Sequence, residues 1–247
     1  MATGDRRVVF WDFDGTLAVR DGMWSAAVVD ALRSVDATIT VDPELVRPHL
    51  RSGFPWHEPE VIASPPLSAE TWAARLAPVF ARALLAQEVP SEVASAASAR
   101  VLDEYYRVEP WHVIDGAVDA LELVQDAGYD NVVLSNHGPG LPGLVAALGL
   151  SSLITVTITI AAVGIEKPNP LLFAHALRVT DAGDDTWMVG DNPVADVEGA
   201  RRVGIRALLA DGIYPDSRGL TALQAARHIV GAAPDLATPR RSARPRT

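Results

Sequence analysis

The chain has 247 residues, of which 49% are apolar and 21% charged. This length and balance allow one large domain, or one domain with an insertion, and exclude intrinsic disorder for the bulk of the chain. No run reaches the ~18 uncharged apolar residues that a membrane-spanning helix needs, and a net charge of −10 argues against nucleic acid as a partner.

Met1 to Arg7 is charged and runs into a short apolar segment that carries Asp12 and Asp14, which is not the pattern of a signal peptide. Cysteine is absent, so there is no disulfide framework and no thiolate metal site. The expected location is the cytoplasm. Val8 to Phe13 reads as a buried strand, broken by the turn Asp14-Gly15-Thr16. Helical spacing of apolar residues follows at Trp24 to Leu32, Pro43 to Leu50, Ala69 to Leu85 and Ser91 to Tyr106. Between the second and third of these lies an aromatic loop, Ser52 to Pro59.

After Trp111 the pattern alternates. Helices are predicted at Asp115 to Ala127, Pro142 to Leu148, Pro170 to Val179 and Val194 to Val203. Strands are predicted at Asn131 to Leu134, Leu153 to Ile160, Thr186 to Val189 and Ile205 to Leu209. Repeated strand–helix units imply a parallel sheet with helices on both faces, and ligands bind beyond the carboxyl ends of such strands. The helical stretch after the first strand is an insertion placed where a lid would sit. The last residues, with Arg240, Arg241, Arg244 and Arg246, read as a frayed basic tail.

The strand ends carry the chemistry. The first ends in Asp12-Phe13-Asp14-Gly15-Thr16 and the second in Ser135-Asn136. Lys167 follows the third, and the fourth ends in Gly190-Asp191, with Asp196 five residues on. Lys167 is the only lysine among 21 basic residues; the rest are arginine. Arginine fills most cationic roles, but not that of a compact cation in a tight anionic site. Parallel strands bring these groups to one edge. Clustered carboxylates are tolerable only with a cation, and a set of oxygen ligands points to Mg²⁺. Mg²⁺, an ammonium and a hydroxyl together suit a phosphoryl group.

With these four motifs in this order, the sequence resembles the haloacid-dehalogenase-like hydrolase superfamily. The resemblance covers residues 8 to 17 and 112 to 210. It implies an α/β fold: a Rossmann-like parallel sheet core, 1–17 and 109–230, with an inserted α-helical cap, 18–108, and a basic disordered tail, 231–247. It further implies that Asp12 attacks phosphorus, that Asp14 protonates the leaving oxygen and then deprotonates water, and that Lys167 pairs with the nucleophile and the phosphoryl group. The implied metal set is Asp12, Asp14 through its backbone carbonyl, Asp191, and Asp196, the last orienting Lys167 or a water on the metal. Thr16, Ser135 and Asn136 belong to the phosphate-binding set, with Ser135 bonding a phosphoryl oxygen.

In the same family, members that displace halide lack the second aspartate, and members that cleave C–P bonds use a cap lysine. Asp14 is present and the insertion has no lysine, so the expected activity is Mg²⁺-dependent hydrolysis of a small-molecule phosphate ester through an aspartyl-phosphate. A phosphomutase would use the same intermediate, and a non-catalytic binding module would need a lost nucleophile or ligand. Arg51 and Trp56, with Arg47 and His57, flank the aromatic loop. They read either as a loop closing over an acidic leaving group or as packing aromatics and solvated charges. Trp24 and Trp72 read as core residues, and His112, His175 and His228 as structural. His137 is a candidate for reaching the site. The expected state is a monomer or a homodimer, and no membrane or nucleic-acid partner is expected.

Overall fold

In the computed structural model, residues 4–57, 68–212 and 218–232 are described. Strand β1, Arg6–Trp11, has four consecutive buried residues, Val8 to Trp11. Strand geometry sends alternate side chains to opposite faces, so this continuous apolar run is what a strand buried on both sides requires. Val9 and Trp11 join one core with Ala117, Leu121 and Val124, and with Ala225 and Ile229. Val8 and Phe10 join the other with Leu172, Phe173, Ala176 and Ala200.

The antiparallel pair β2, Ala18–Arg20, and β3, Trp111–Val113, lies apart from the main sheet. The remaining strands are β4, Asp130–Ser135, β5, Val156–Thr159, β6, Ala182–Gly190, and β7, Arg206–Leu209. With β1 they form one sheet in the order β5-β4-β1-β6-β7, every neighbouring pair parallel. This is the predicted Rossmann-like α/β core. β1 sits in the middle, and the chain order runs outward from it to either side, so the crevice beyond its carboxyl end is where a ligand is expected.

The helical insertion leaves and rejoins the sheet through β2 and β3. Ala18 pairs with Val113 and Arg20 with Trp111, so both crossings are tied together. Three-residue strands are too short to show a period, and the sequence reading missed them. Arg20 is buried, and its guanidinium donates to Asp30 Oδ2 at 3.0 Å and to the Asp21 carbonyl at 3.0 Å. That fixes the entry to the helix Met23–Val35. The helix Ala69–Leu85 has the predicted ends. The stretch predicted as Ser91 to Tyr106 is two helices, Ser91–Ser98 and Val101–Tyr105. The one predicted from Pro43 to Leu50 turns 3₁₀ at Arg47–Leu50. Pro48 offers no N–H and crowds the carbonyl four residues back, which disfavours a continued α-helix.

Further differences lie in the core. Pro193–Glu198 is a π turn, with α-helix only at Gly199–Arg202, and Ile160 starts a short helix instead of ending β5. A helix at Ala222–Ala232 was not anticipated. Residues 233–247, most of the expected basic tail, lie outside the described residues. Among the described residues, no helix is long and apolar enough to cross a membrane.

Candidate active site

β1 stops at Trp11, and the Asp12 amide still donates to the Val189 carbonyl at 2.8 Å. Asp12 is thereby held at the sheet edge. A tight turn follows, in which the Phe13 carbonyl accepts from the amides of Thr16, Leu17 and Ala18. Gly15 adopts φ 78° there, a conformation open to glycine.

Lys167 reaches the same edge from the loop before the helix Pro170–Val179. Its Nζ lies 2.7 Å from Asp12 Oδ1 and 2.6 Å from Asp196 Oδ1, and both Lys167 and Asp196 are buried. Burial pulls the ammonium pKa down, but Asp12 and Asp196 outweigh it, so the pKa is raised. Asn136 fixes the lysine backbone from β4: its Oδ1 accepts from the Lys167 amide at 2.7 Å, and its Nδ2 donates to the Lys167 carbonyl at 2.9 Å. Asp196 Oδ2 accepts from the Asn192 amide at 3.0 Å. A Cβ on Gly190 would stand 2.2 Å from that oxygen, so only glycine lets the carboxylate in.

Asp12, Asp191 and Asp196 offer carboxylate oxygens all within 4.8 Å of one another. Burial, and after it the charges of Asp12 and Asp196, raises the Asp191 pKa; burial also raises that of Asp196, against the pull of Lys167. One ammonium among three carboxylates leaves the cluster short of positive charge. An all-oxygen donor set in that state fits a hard divalent cation such as Mg²⁺.

The Asp14 carboxylate is not part of this cluster, and Tyr105 Oη donates to its Oδ2 at 3.0 Å. The resemblance implied only the Asp14 backbone carbonyl as a ligand. Thr16 is buried and does not line the cavity, and its hydroxyl has no hydrogen-bond partner among the described residues. Ser135 ends β4 inside the site.

A cavity of about 860 Å³ opens over this edge. Asp12, Asp14, Ser135, Asn136, Lys167, Asp191 and Asp196 form its floor, and Trp24, Arg47, Arg51, Phe54 and His57 of the insertion form its roof. Trp24, expected as core, therefore also faces the cavity. Trp72, also expected as core, is buried. Of Trp56 only the backbone is described, in the 3₁₀ turn Pro55–His57. Arg47 is paired with Glu44 at 2.8 Å, whereas Arg51 is exposed in the roof with no ion pair among the described residues.

The structure adds groups that the motifs did not point to. Glu166, beside the lysine, is buried, and its Oε2 has no hydrogen-bond partner among the described residues. Burial raises its pKa to about 8, against the pull of Arg75 in the insertion. A carboxyl raised in the folded state adds stability below its unfolded pKa and loses it as pH rises toward the folded value. Stability should thus fall between roughly pH 4.5 and 8, by on the order of 5 kcal/mol from this group. Glu166→Gln should remove that fall. Thermal melts should show the variant gaining on wild type at pH 8.5 and matching it at pH 5; a constant gap would mean that the carboxyl is not the cause.

A family model for haloacid dehalogenase-like hydrolases matches residues 6–204. The chain belongs to that family. It is 36% identical over 103 residues to the human haloacid dehalogenase-like hydrolase domain-containing protein 3, a match covering 41% of each chain. It is 42% identical over 88 residues to a phosphoserine phosphatase of Thermus thermophilus, covering 34% of this chain and 35% of that one. The matches thus span well under half the length of these relatives. The putative hydrolase YfnB of Bacillus subtilis, solved with magnesium, shares the fold with a TM-score of 0.65 at 18% identity, covering 91% of this chain and 98% of that chain.

Proposed function

We propose that this hydrolase is a Mg²⁺-dependent phosphatase for a small phosphomonoester, working through a phosphoryl group on Asp12. The observation that carries the reading is the Asp12–Lys167–Asp196 cluster at 2.7 and 2.6 Å, with a further carboxylate, Asp14, two residues from the nucleophile and lining the same cavity. Asp12, Asp191, Asp196 and the Asp14 carbonyl are the residues that would hold Mg²⁺, which when bound offsets charge on the phosphoryl oxygens. Asp12 supplies the attacking oxygen. Lys167 binds the nucleophile and the transferring group in a buried setting where its charge acts strongly. Asp14 gives a proton to the leaving alkoxide and takes one from the water that cleaves the acyl phosphate. Ser135, which lines the same cavity, donates to a phosphoryl oxygen on this reading. Halide displacement needs no such acid, and Asp14 would then be idle.

The insertion, residues 18–108, acts on this reading as a cap over the site. The core holds the phosphate, so roof contacts act on the rest of the substrate. Arg51, exposed in the roof, favours a leaving group that carries an acidic function. Arg51→Ala should lower kcat/KM for such a substrate by about 10-fold or more, as expected for a lost charged contact. It should hardly change p-nitrophenyl phosphate turnover. Equal losses on both would place Arg51 in closure or folding and not in recognition.

The direct test is phosphate release from a panel of metabolite phosphates with Mg²⁺ and with a chelator. Free phosphate that depends on the metal supports the reading. Transfer to a second hydroxyl without phosphate release would make the enzyme a mutase, and no turnover would remove it from phosphoryl chemistry.

A further inference from the structure

Two side chains that the reaction scheme leaves unused, Tyr105 and His137, reach the Asp14 carboxylate, and a third, Tyr106, bonds the second of them. Tyr105 is fully buried at the end of the helix Val101–Tyr105. Its ring stacks on Trp24 at 3.6 Å and 6°, and meets Trp111 edge-on at 5.4 Å. Its hydroxyl donates to Asp14 Oδ2 at 3.0 Å.

His137 lies on the loop after β4, with its ring centroid 5.7 Å from that of Tyr105. It is buried, and its Nε2 lies 3.3 Å from Asp14 Oδ1. Its Nδ1 lies 2.8 Å from Tyr106 Oη. A ring nitrogen 3.3 Å from a carboxylate oxygen is the one that carries a proton, which leaves Nδ1 to accept from the Tyr106 hydroxyl. The close approach depends on glycine: a Cβ on Gly140 would stand 2.7 Å from the Tyr106 ring.

The clamp is only partly engaged. Neither His137 Nε2 nor Asp14 Oδ1 has completed a hydrogen bond among the described residues, although they are at contact distance. Catalytic hydrogen bonds commonly tighten only once substrate is bound.

We propose that Tyr105, Tyr106 and His137 are positioning residues that aim the Asp14 carboxylate at the ester oxygen, and that seating the insertion on the core sets them. Both tyrosines lie where the insertion returns to the core, and His137 belongs to the core. Asp14 is thus gripped from both sides of that junction, and its aim depends on how the two meet. This rests on the phosphatase reading above.

The test uses a series of substituted phenyl phosphates, from p-nitrophenyl to p-methoxyphenyl. Nitrophenolate leaves without a proton, whereas the more basic phenolates need one, so misplacing the acid should hurt them most. Formation of the phosphoenzyme is followed by rapid quench. In Tyr105→Phe and His137→Leu the loss should grow along the series, from about threefold or less to on the order of 10–100-fold. His137→Gln, which keeps an amide donor near Nε2, should restore the shallower dependence. Variants that run parallel to wild type along the series, with a uniform loss or none, would overturn the clamp. Tyr105→Phe removes one hydroxyl, and its melting temperature identifies a folding loss. A wild type that forms no phosphoenzyme from p-nitrophenyl phosphate would overturn the phosphatase reading, and the clamp with it.

Discussion

Asp12→Asn should abolish phosphate release, with a loss of at least ~10⁴-fold in kcat, as removal of a nucleophile does. The amide nitrogen and oxygen of asparagine cannot form a stable phosphoryl adduct. Lys167 loses a charged partner at 2.7 Å but keeps Asp196 at 2.6 Å, so its ammonium stays paired. The substitution also removes one of three crowded carboxylates. In the absence of metal the variant should therefore melt at or slightly above the wild-type temperature. Loss of activity with unchanged or improved stability is the signature of a nucleophile; loss of both would point to a folding role for Asp12. Purified variant assayed for phosphate, with melts alongside, decides this. Substantial turnover would end the covalent-aspartate account.

Lys167→Arg should fail despite keeping the charge. The ammonium fits between Asp12 and Asp196, and both it and Asp196 are buried. A guanidinium is wider and planar and directs its donors in a fixed fork. Fitting it would push the carboxylates apart or tilt the Lys167 backbone out of the Asn136 clamp. We expect a fall of about 10²–10³-fold in kcat, the scale for losing one preorganised electrostatic contact. Overpacking should add a stability cost of roughly 1–3 kcal/mol. Lys167→Met, which keeps the length and removes the charge, separates the two effects. Near-wild-type kcat for Lys167→Arg would mean that compactness is not what the site needs.

The sequence carried those parts of the molecule that rest on repeated local patterns. Ala69–Leu85 and Pro170–Val179 were readable to their ends because their apolar residues repeat along one helical face. The parallel sheet followed from alternating units, and Asp12, Ser135, Lys167 and Asp191 converge because each follows a strand. Contacts made across the molecule were not readable. Tyr105 and Asp14 are 91 positions apart, and nothing local to either marks the pair. The β2–β3 pairing joins two three-residue segments, each too short to carry a period. The Asp14 carboxylate meets Tyr105 and His137, which lie far from it in the chain. The burial of Arg20 rests on contacts across the insertion, to Asp30 and to the Glu104 carbonyl 84 positions away, which composition does not encode.

The central claim is that Asp12 carries a phosphoryl group during turnover. The most direct measurement is acid quench of the enzyme with a phosphate ester in the steady state, followed by peptide mapping by mass spectrometry. The account predicts a phosphorylated peptide containing Asp12 that is stable in acid, is cleaved by hydroxylamine as an acyl phosphate must be, and is absent in Asp12→Asn. Full turnover with no phosphoryl group on that peptide, or with the group on another residue, would contradict it.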